Sequence, residues 1–148
     1  MKKVSAIALS TAMALSMALP SQVNATSRVD QLLSNMSTRQ KITQMLMVDF
    51  RYWDEDLSDG LQTTGHEFTK MNDQVRKIVE DYDFGALIYF AQNIQETEQS
   101  YNLSMAMQKA ATKDGGIPLL ISADQEGGSV YRLGSGTALP GNMALGAT

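Results

Sequence analysis

Three short apolar runs, separated by stretches of helix length, set the narrowest limit on what this chain can fold into. They are Met45-Leu46-Met47-Val48-Asp49-Phe50, Ala86-Leu87-Ile88-Tyr89-Phe90 and Ile117-Pro118-Leu119-Leu120-Ile121-Ser122-Ala123. Apolar runs of this length, without strict alternation, read as parallel strands buried on both faces. Pro118 is tolerated at the start of the third, where a missing N–H costs little. Parallel neighbours need a crossover, and each spacer holds one. Phe68, Met71, Val75, Ile78, Val79 and Tyr82 keep helical spacing and predict a helix over 69–82, ended by Asp83-Phe84-Gly85. A second crossover helix, capped by Asn93 and Glu96, is predicted to run to Lys113 with Leu103, Met107, Ala110 and Ala111 inward. Upstream, residues 27–36 read as a short helix, and Ser37 with Gln40 forms the S-x-x-Q capping box of another. Residues 51–65 read as a polar, acidic loop. The order strand, helix, strand, helix, strand defines an α/β fold, with right-handed crossovers expected.

The first 25 residues stand apart. Lys2 and Lys3 precede an apolar stretch from Val4 to Leu19, Pro20 breaks it, and Val23-Asn24-Ala25 offers small side chains. This pattern is that of a secretory signal peptide cleaved after Ala25. The apolar stretch is shorter than the roughly 20 residues a membrane span needs. With no cysteine in the chain, no lipid anchor can form on a thiol. The expected organisation is therefore a signal peptide over 1–25 and a domain over 26–148, outside the cytoplasm and with no stable membrane association after cleavage. A formal charge of −4 leaves no electrostatic footprint for nucleic acid.

The chemistry gathers at the end of the third run. Asp124 follows it directly, Gly127-Gly128 turns the chain, and Arg132 lies eight residues on. In α/β folds the carboxyl ends of strands are where ligands meet the protein. An ionised Asp only accepts hydrogen bonds, which suits adjacent sugar hydroxyls, and Arg supplies a rigid fork of donors. The spacing equally allows an Asp–Arg ion pair that closes the loop. Glu126 is expected to accept backbone N–H groups in the turn; with Asp124 it makes too few ligands for a dedicated metal site. Other signals fall short. Gly134-Ser135-Gly136 lacks a third glycine, since 139 is Leu, and Pro140 follows instead of a helix. His66-Glu67 opens a zincin motif that Lys70 breaks, and His66 reads as a loop residue. Tyr52 and Trp53 read as rim packing ahead of sugar stacking.

Ile121-Ser122-Ala123-Asp124-Gln125-Glu126-Gly127-Gly128, then Arg132-Leu133, then Leu139-Pro140-Gly141-Asn142-Met143-Ala144-Leu145-Gly146 resembles glycoside hydrolase family 3. The similarity is strongest to its bacterial β-N-acetylhexosaminidase branch. Residues 41–50 and 85–94 are similar to that family's first two barrel strands. The resemblance implies the first three strands of a TIM-like (β/α)8 barrel. It implies a retaining enzyme that removes terminal β-linked N-acetylglucosamine from cell-wall glycans and muropeptides, with no cofactor and no metal. Asp124 and Arg132 are implied to bind the terminal sugar. The nucleophilic Asp and the His acid/base of such enzymes are implied to lie beyond residue 148. A barrel of this kind takes about 250 residues, so the sequence reads as the N-terminal part of one. An exo-β-glucosidase of the same family and a secreted glycan-binding piece are the alternatives. Ser129 departs from the family, where Arg is common.

Overall fold

The computed structural model describes residues 25–54 and 65–147. The expected signal peptide over 1–25 lies almost wholly outside them, as does most of the acidic loop. Ten described elements include α1 (Ala25–Asn35), α2 (Thr38–Thr43), β1 (Met47–Val48), α3 (Asp73–Tyr82), β2 (Ala86–Tyr89), α4 (Thr97–Ala111), β3 (Leu120–Ala123) and α5 (Asn142–Gly146), with 3₁₀ turns over Ala91–Asn93 and Lys113–Gly115. The chain divides into two compact units at 34/35, α1 up to Ser34 belonging to the first and the remaining described residues to the second. No helix among the described residues is long and apolar enough to cross a membrane.

In the second unit the three strands make one parallel sheet in the order β1-β2-β3. The predicted succession of three parallel strands joined by crossover helices therefore holds, and the strands are shorter than their apolar runs. Met47 pairs with Ala86 and Val48 with Leu87, while Ala86 to Tyr89 pair with Leu120 to Ala123. Side chains alternate across the sheet. Val48, Phe50, Leu87, Tyr89, Ile121 and Ala123 face α3 and α4, where Val75, Val79, Leu103, Met107 and Ala110 meet them. Leu87, Leu103, Met107 and Val75 are fully buried. Each such side chain contributes about 1.5–3 kcal/mol relative to exposure. The opposite face carries Met47 and Leu120, 53% and 74% exposed. The third run is thus covered on one face only. Within this unit α3 and α4 cover one side and, among the described residues, the other face of the sheet stays open, so burial of the run on both faces does not hold here.

Local chemistry sets the element ends. The Ser37–Gln40 capping box forms as its sequence implies: Ser37 Oγ accepts from Gln40 N, and Gln40 Oε1 accepts from Ser37 N at 2.9 Å. The helix α3 begins at Asp73, later than periodicity predicts, because Asn72 Oδ1 accepts Val75 N–H at 2.8 Å and fixes the first turn there. Asp83 adopts a left-handed conformation (φ 52°) and stops it. Gly85 then passes so close to α2 that a Cβ would stand 1.8 Å from the Gln44 carbonyl oxygen. Ahead of β3, Gln108 accepts from Leu119 N–H and donates to its carbonyl, satisfying both groups at the edge of the sheet.

Tyr89 sits in the core with Ser104 Oγ donating to its hydroxyl at 3.3 Å. Burial pushes its phenol above the usual 10.0, the Ser104 bond opposing it weakly. The neutral form is therefore favoured by folding. Stability is expected to be retained up to the ordinary phenol range and to fall as pH rises through the raised value. Tyr89→Phe should flatten that alkaline limb in a series of melting curves; an unchanged limb would exclude Tyr89 as its source.

Candidate functional site

The carboxyl ends of β1, β2 and β3 lie at one pole because the strands are parallel and in register. Asp124 is the first residue past β3 and is half-buried. Its carboxylate has neither an ion-pair nor a hydrogen-bond partner among the described residues. The loop-closing Asp124–Arg132 ion pair, one of the two arrangements that spacing allows, is absent from this structure. Arg132 is also half-buried, and its Nε is buried without a hydrogen-bond partner. A buried donor left unmet costs about 1–3 kcal/mol, so the position calls for an acceptor from elsewhere.

What holds the loop between them is Gln125. Its Oε1 accepts from the backbone N–H groups of Arg132, at 2.8 Å, and Leu133, at 3.2 Å. Leu133 packs on the core, which anchors the returning strand. Glu126 was expected to accept backbone N–H groups in this turn. Instead its own N–H donates to the Val130 carbonyl at 2.9 Å, and its side chain is exposed. One position decides the matter, since only the side chain at 125 turns back across the loop mouth. Gly127 has φ +76° and packs on the 139–141 segment so closely that a Cβ would meet the Leu139 and Pro140 carbonyl oxygens at 2.7 and 2.6 Å. A small cavity of about 170 Å³ opens between this turn and α5, lined by Gln125, Glu126, Tyr131, Thr137 and Leu139 among others. A larger cleft, about 690 Å³, lies between α3 and α4 and includes neither Asp124 nor Arg132.

The other strand ends contribute residues that local pattern did not single out. Arg51 lies with its guanidinium 3.5 Å from the centre of the Phe90 ring, and its Nε is 3.2 Å from Asp49 Oδ1. Asn93, expected to cap α4, instead is 1% exposed and ties three segments together. Its Oδ1 accepts Phe90 N–H at 3.0 Å; its Nδ2 donates to the carbonyls of Phe50, at 2.8 Å, and Phe68, at 2.9 Å. The intervening 3₁₀ turn carries Asn93 away from the α4 terminus, where Glu96 takes the cap position without a side-chain bond. Trp53 packs edge-on to Phe50 at 5.9 Å and donates from Nε1 to Gln74 Oε1 at 2.7 Å, while Tyr52 accepts from Gln92 at 3.1 Å. Both aromatics are engaged in the fold. His66 is highly exposed, with Nδ1 2.9 Å from Asp54 Oδ1, as befits a loop residue.

Comparison with known proteins places this geometry. The family described as Glycosyl hydrolase family 3 N terminal domain matches residues 37–148. Beta-hexosaminidase A of Pseudoalteromonas piscicida is 36% identical over 116 residues, covering 76% of this chain and 19% of that protein. A Beta-hexosaminidase of Photobacterium profundum is 38% identical over 72 residues, covering 49% of this chain and 20% of that protein. Among solved structures, a glycoside hydrolase family 3 beta-N-acetylglucosaminidase from Paenibacillus sp. str. FPU-7 aligns with a TM-score of 0.60 and 36% identity, over 76% of this chain and 18% of that one. The chain thus spans about a fifth of the length of these relatives. With a family match over most of its length, a three-stranded parallel α/β sheet and the Asp-Gln-Glu-Gly-Gly turn at one strand end, the chain belongs to glycoside hydrolase family 3.

Proposed function

We propose that this chain forms the N-terminal part of an exported, retaining exo-β-N-acetylglucosaminidase built on a (β/α)8 barrel, acting on terminal β-linked N-acetylglucosamine of cell-wall glycans and muropeptides. The observation that carries the reading is the position of Asp124. It stands at the carboxyl end of β3, half-buried, with its carboxylate unpaired among the described residues. Arg132 Nε, buried and lacking an acceptor, complements it. A sugar with neighbouring hydroxyls meets both needs, giving donors to Asp124 and an oxygen to Arg132. The relatives named as hexosaminidases support the N-acetylglucosamine specificity.

In this mechanism Asp124 and Arg132 do not react. They hold the non-reducing sugar so that its anomeric carbon meets groups supplied from outside residues 1–148. Retention requires two carboxyl-type groups about 5–5.5 Å apart, or their equivalent, acting as nucleophile and acid/base. Binding energy realised on the hydroxyls aligns the reacting carbon and so raises turnover as well as affinity. The test is a comparison of initial rates of the complete enzyme on an aryl β-N-acetylglucosaminide and an aryl β-glucoside. Faster cleavage of the former, with the β-anomer of the sugar released first, is the expected result. Preference for the glucoside would make the protein an exo-β-glucosidase, and binding of N-acetylglucosamine oligomers without cleavage would make it a glycan-binding protein. Export is tested separately, by recovery of activity outside the cytoplasm and an N-terminus at residue 26.

A further inference from the structure

We infer that Asp49 and Arg51 form a further sugar-binding element, donating to and accepting from hydroxyls of the same terminal sugar that Asp124 holds. The inference rests on the sugar-site reading of Asp124 and extends it to the opposite side of the pole. Three observations lead to it. The first is register. Val48 pairs with Leu87 and Tyr89 with Ala123, so continuing each strand sets Arg51 level with Phe90 and Phe90 level with Asp124. The 3.5 Å contact of Arg51 with the Phe90 ring fits that row. The second is facing. Val48, Phe50, Leu87, Tyr89 and Ala123 all pack on the helical core, so the alternating positions 49, 51, 90 and 124 share the other face. Parallel strands lie about 4.8 Å apart, so β1 and β3 flank a gap of two strand spacings that one pyranose with its hydroxyls can bridge.

The third observation is the state of the arginine. Its guanidinium carbon lies 3.5 Å from the centre of the Phe90 ring, and its Nε stands 3.2 Å from Asp49 Oδ1. Neither of its Nη groups has an acceptor among the described residues. A guanidinium seated over an aromatic ring is partly pre-organised for hydrogen bonding and loses less freedom on binding. The paired carboxylate cancels its charge locally. The couple therefore offers donors and an acceptor without net charge, which selects neutral hydroxyls over a carboxylate or phosphate. The backbone beneath is held by Asn93, which binds the Phe50 carbonyl, and by Phe68 N–H, which donates to the Arg51 carbonyl at 3.0 Å.

The experiment uses the complete enzyme and aryl β-N-acetylglucosaminides, either intact or deoxygenated singly at C3, C4 or C6. Arg51→Gln is expected to lower kcat/KM on the intact substrate about tenfold, the loss of one charged hydrogen-bond donor. On one deoxy substrate the same substitution should cost less than about twofold, because the partner hydroxyl is already gone. A purely structural arginine would give an equal penalty on every substrate, and that result, or no penalty at all, overturns the inference. Arg51→Lys keeps the charge and the Asp49 pair but loses the fork; it serves if the Gln variant does not fold and should show the same substrate pattern. Asp124→Ala is run beside them. If it collapses activity while Arg51→Gln does not, Arg51 alone is excluded. If neither matters, or the parent enzyme cleaves no N-acetylglucosaminide, the sugar-site reading falls and this inference with it.

Discussion

Asp124→Ala is expected to lower kcat/KM of the complete enzyme on an aryl β-N-acetylglucosaminide by about a hundredfold, equivalent to about 2.7 kcal/mol of transition-state stabilisation. The size follows from the chemistry of a carboxylate accepting from two hydroxyls, each charge-assisted bond being worth about 1.5–3 kcal/mol. Part of the loss should appear in kcat, since a sugar that rocks about its anchor presents the anomeric carbon less often in line. Folding should be spared. The carboxylate has no partner among the described residues, so its removal breaks no native bond, and the unfolding midpoint should move little. Asp124→Asn, which keeps an acceptor and loses the charge, should fall between the two. A hundredfold loss with an unchanged melting point locates the residue in the site; an unchanged kcat/KM removes it.

The second large effect concerns stability. Asn93→Ala is expected to destabilise the chain by about 4 kcal/mol, because one truncation strands the Phe50 and Phe68 carbonyls and the Phe90 N–H, at about 1–3 kcal/mol for a buried unmet group. Small domains hold only about 5–15 kcal/mol in all, so the variant should show a strongly lowered urea midpoint. Asn93→Asp should be no better. It keeps the acceptor for Phe90 N–H at 3.0 Å but sets a carboxylate against two carbonyl oxygens that had been receiving hydrogen bonds. A shift below about 1 kcal/mol would mean that water replaces all three bonds.

Much of this arrangement was legible in the residues. Apolar runs at crossover spacing announced three parallel strands, and Ser37 with Gln40 announced a helix start that the structure forms. The end of β3 at Ala123, hence the place of Asp124, followed from the change from apolar to polar side chains. The misses have a common cause. Asn93, Gln125 and Arg51 act through partners distant in sequence or across a loop, and no local period encodes those partners. Asn93 looks like a helix cap because Asn so often is one. Gln125 and Glu126 are adjacent and similar in size, and only the folded loop distinguishes the one that reaches back. Arg51 sits at the head of a polar stretch, so its position over an aromatic ring at the end of the neighbouring strand has no signature in composition. The apolar run of β3 reports what a strand can bury, not what is present to bury it, and three strands alone leave one side of their sheet open.

The approach of Gly127 to Leu139 and Pro140 has a consequence for how this sequence can vary. A side chain at 127 would run into the Leu139 and Pro140 carbonyl oxygens, and the positive φ there would strain it even if that backbone retreated. In an exhaustive library of single substitutions, position 127 should therefore accept glycine alone, whereas 141, where an added Cβ meets only ordinary van der Waals contacts, should accept a small side chain.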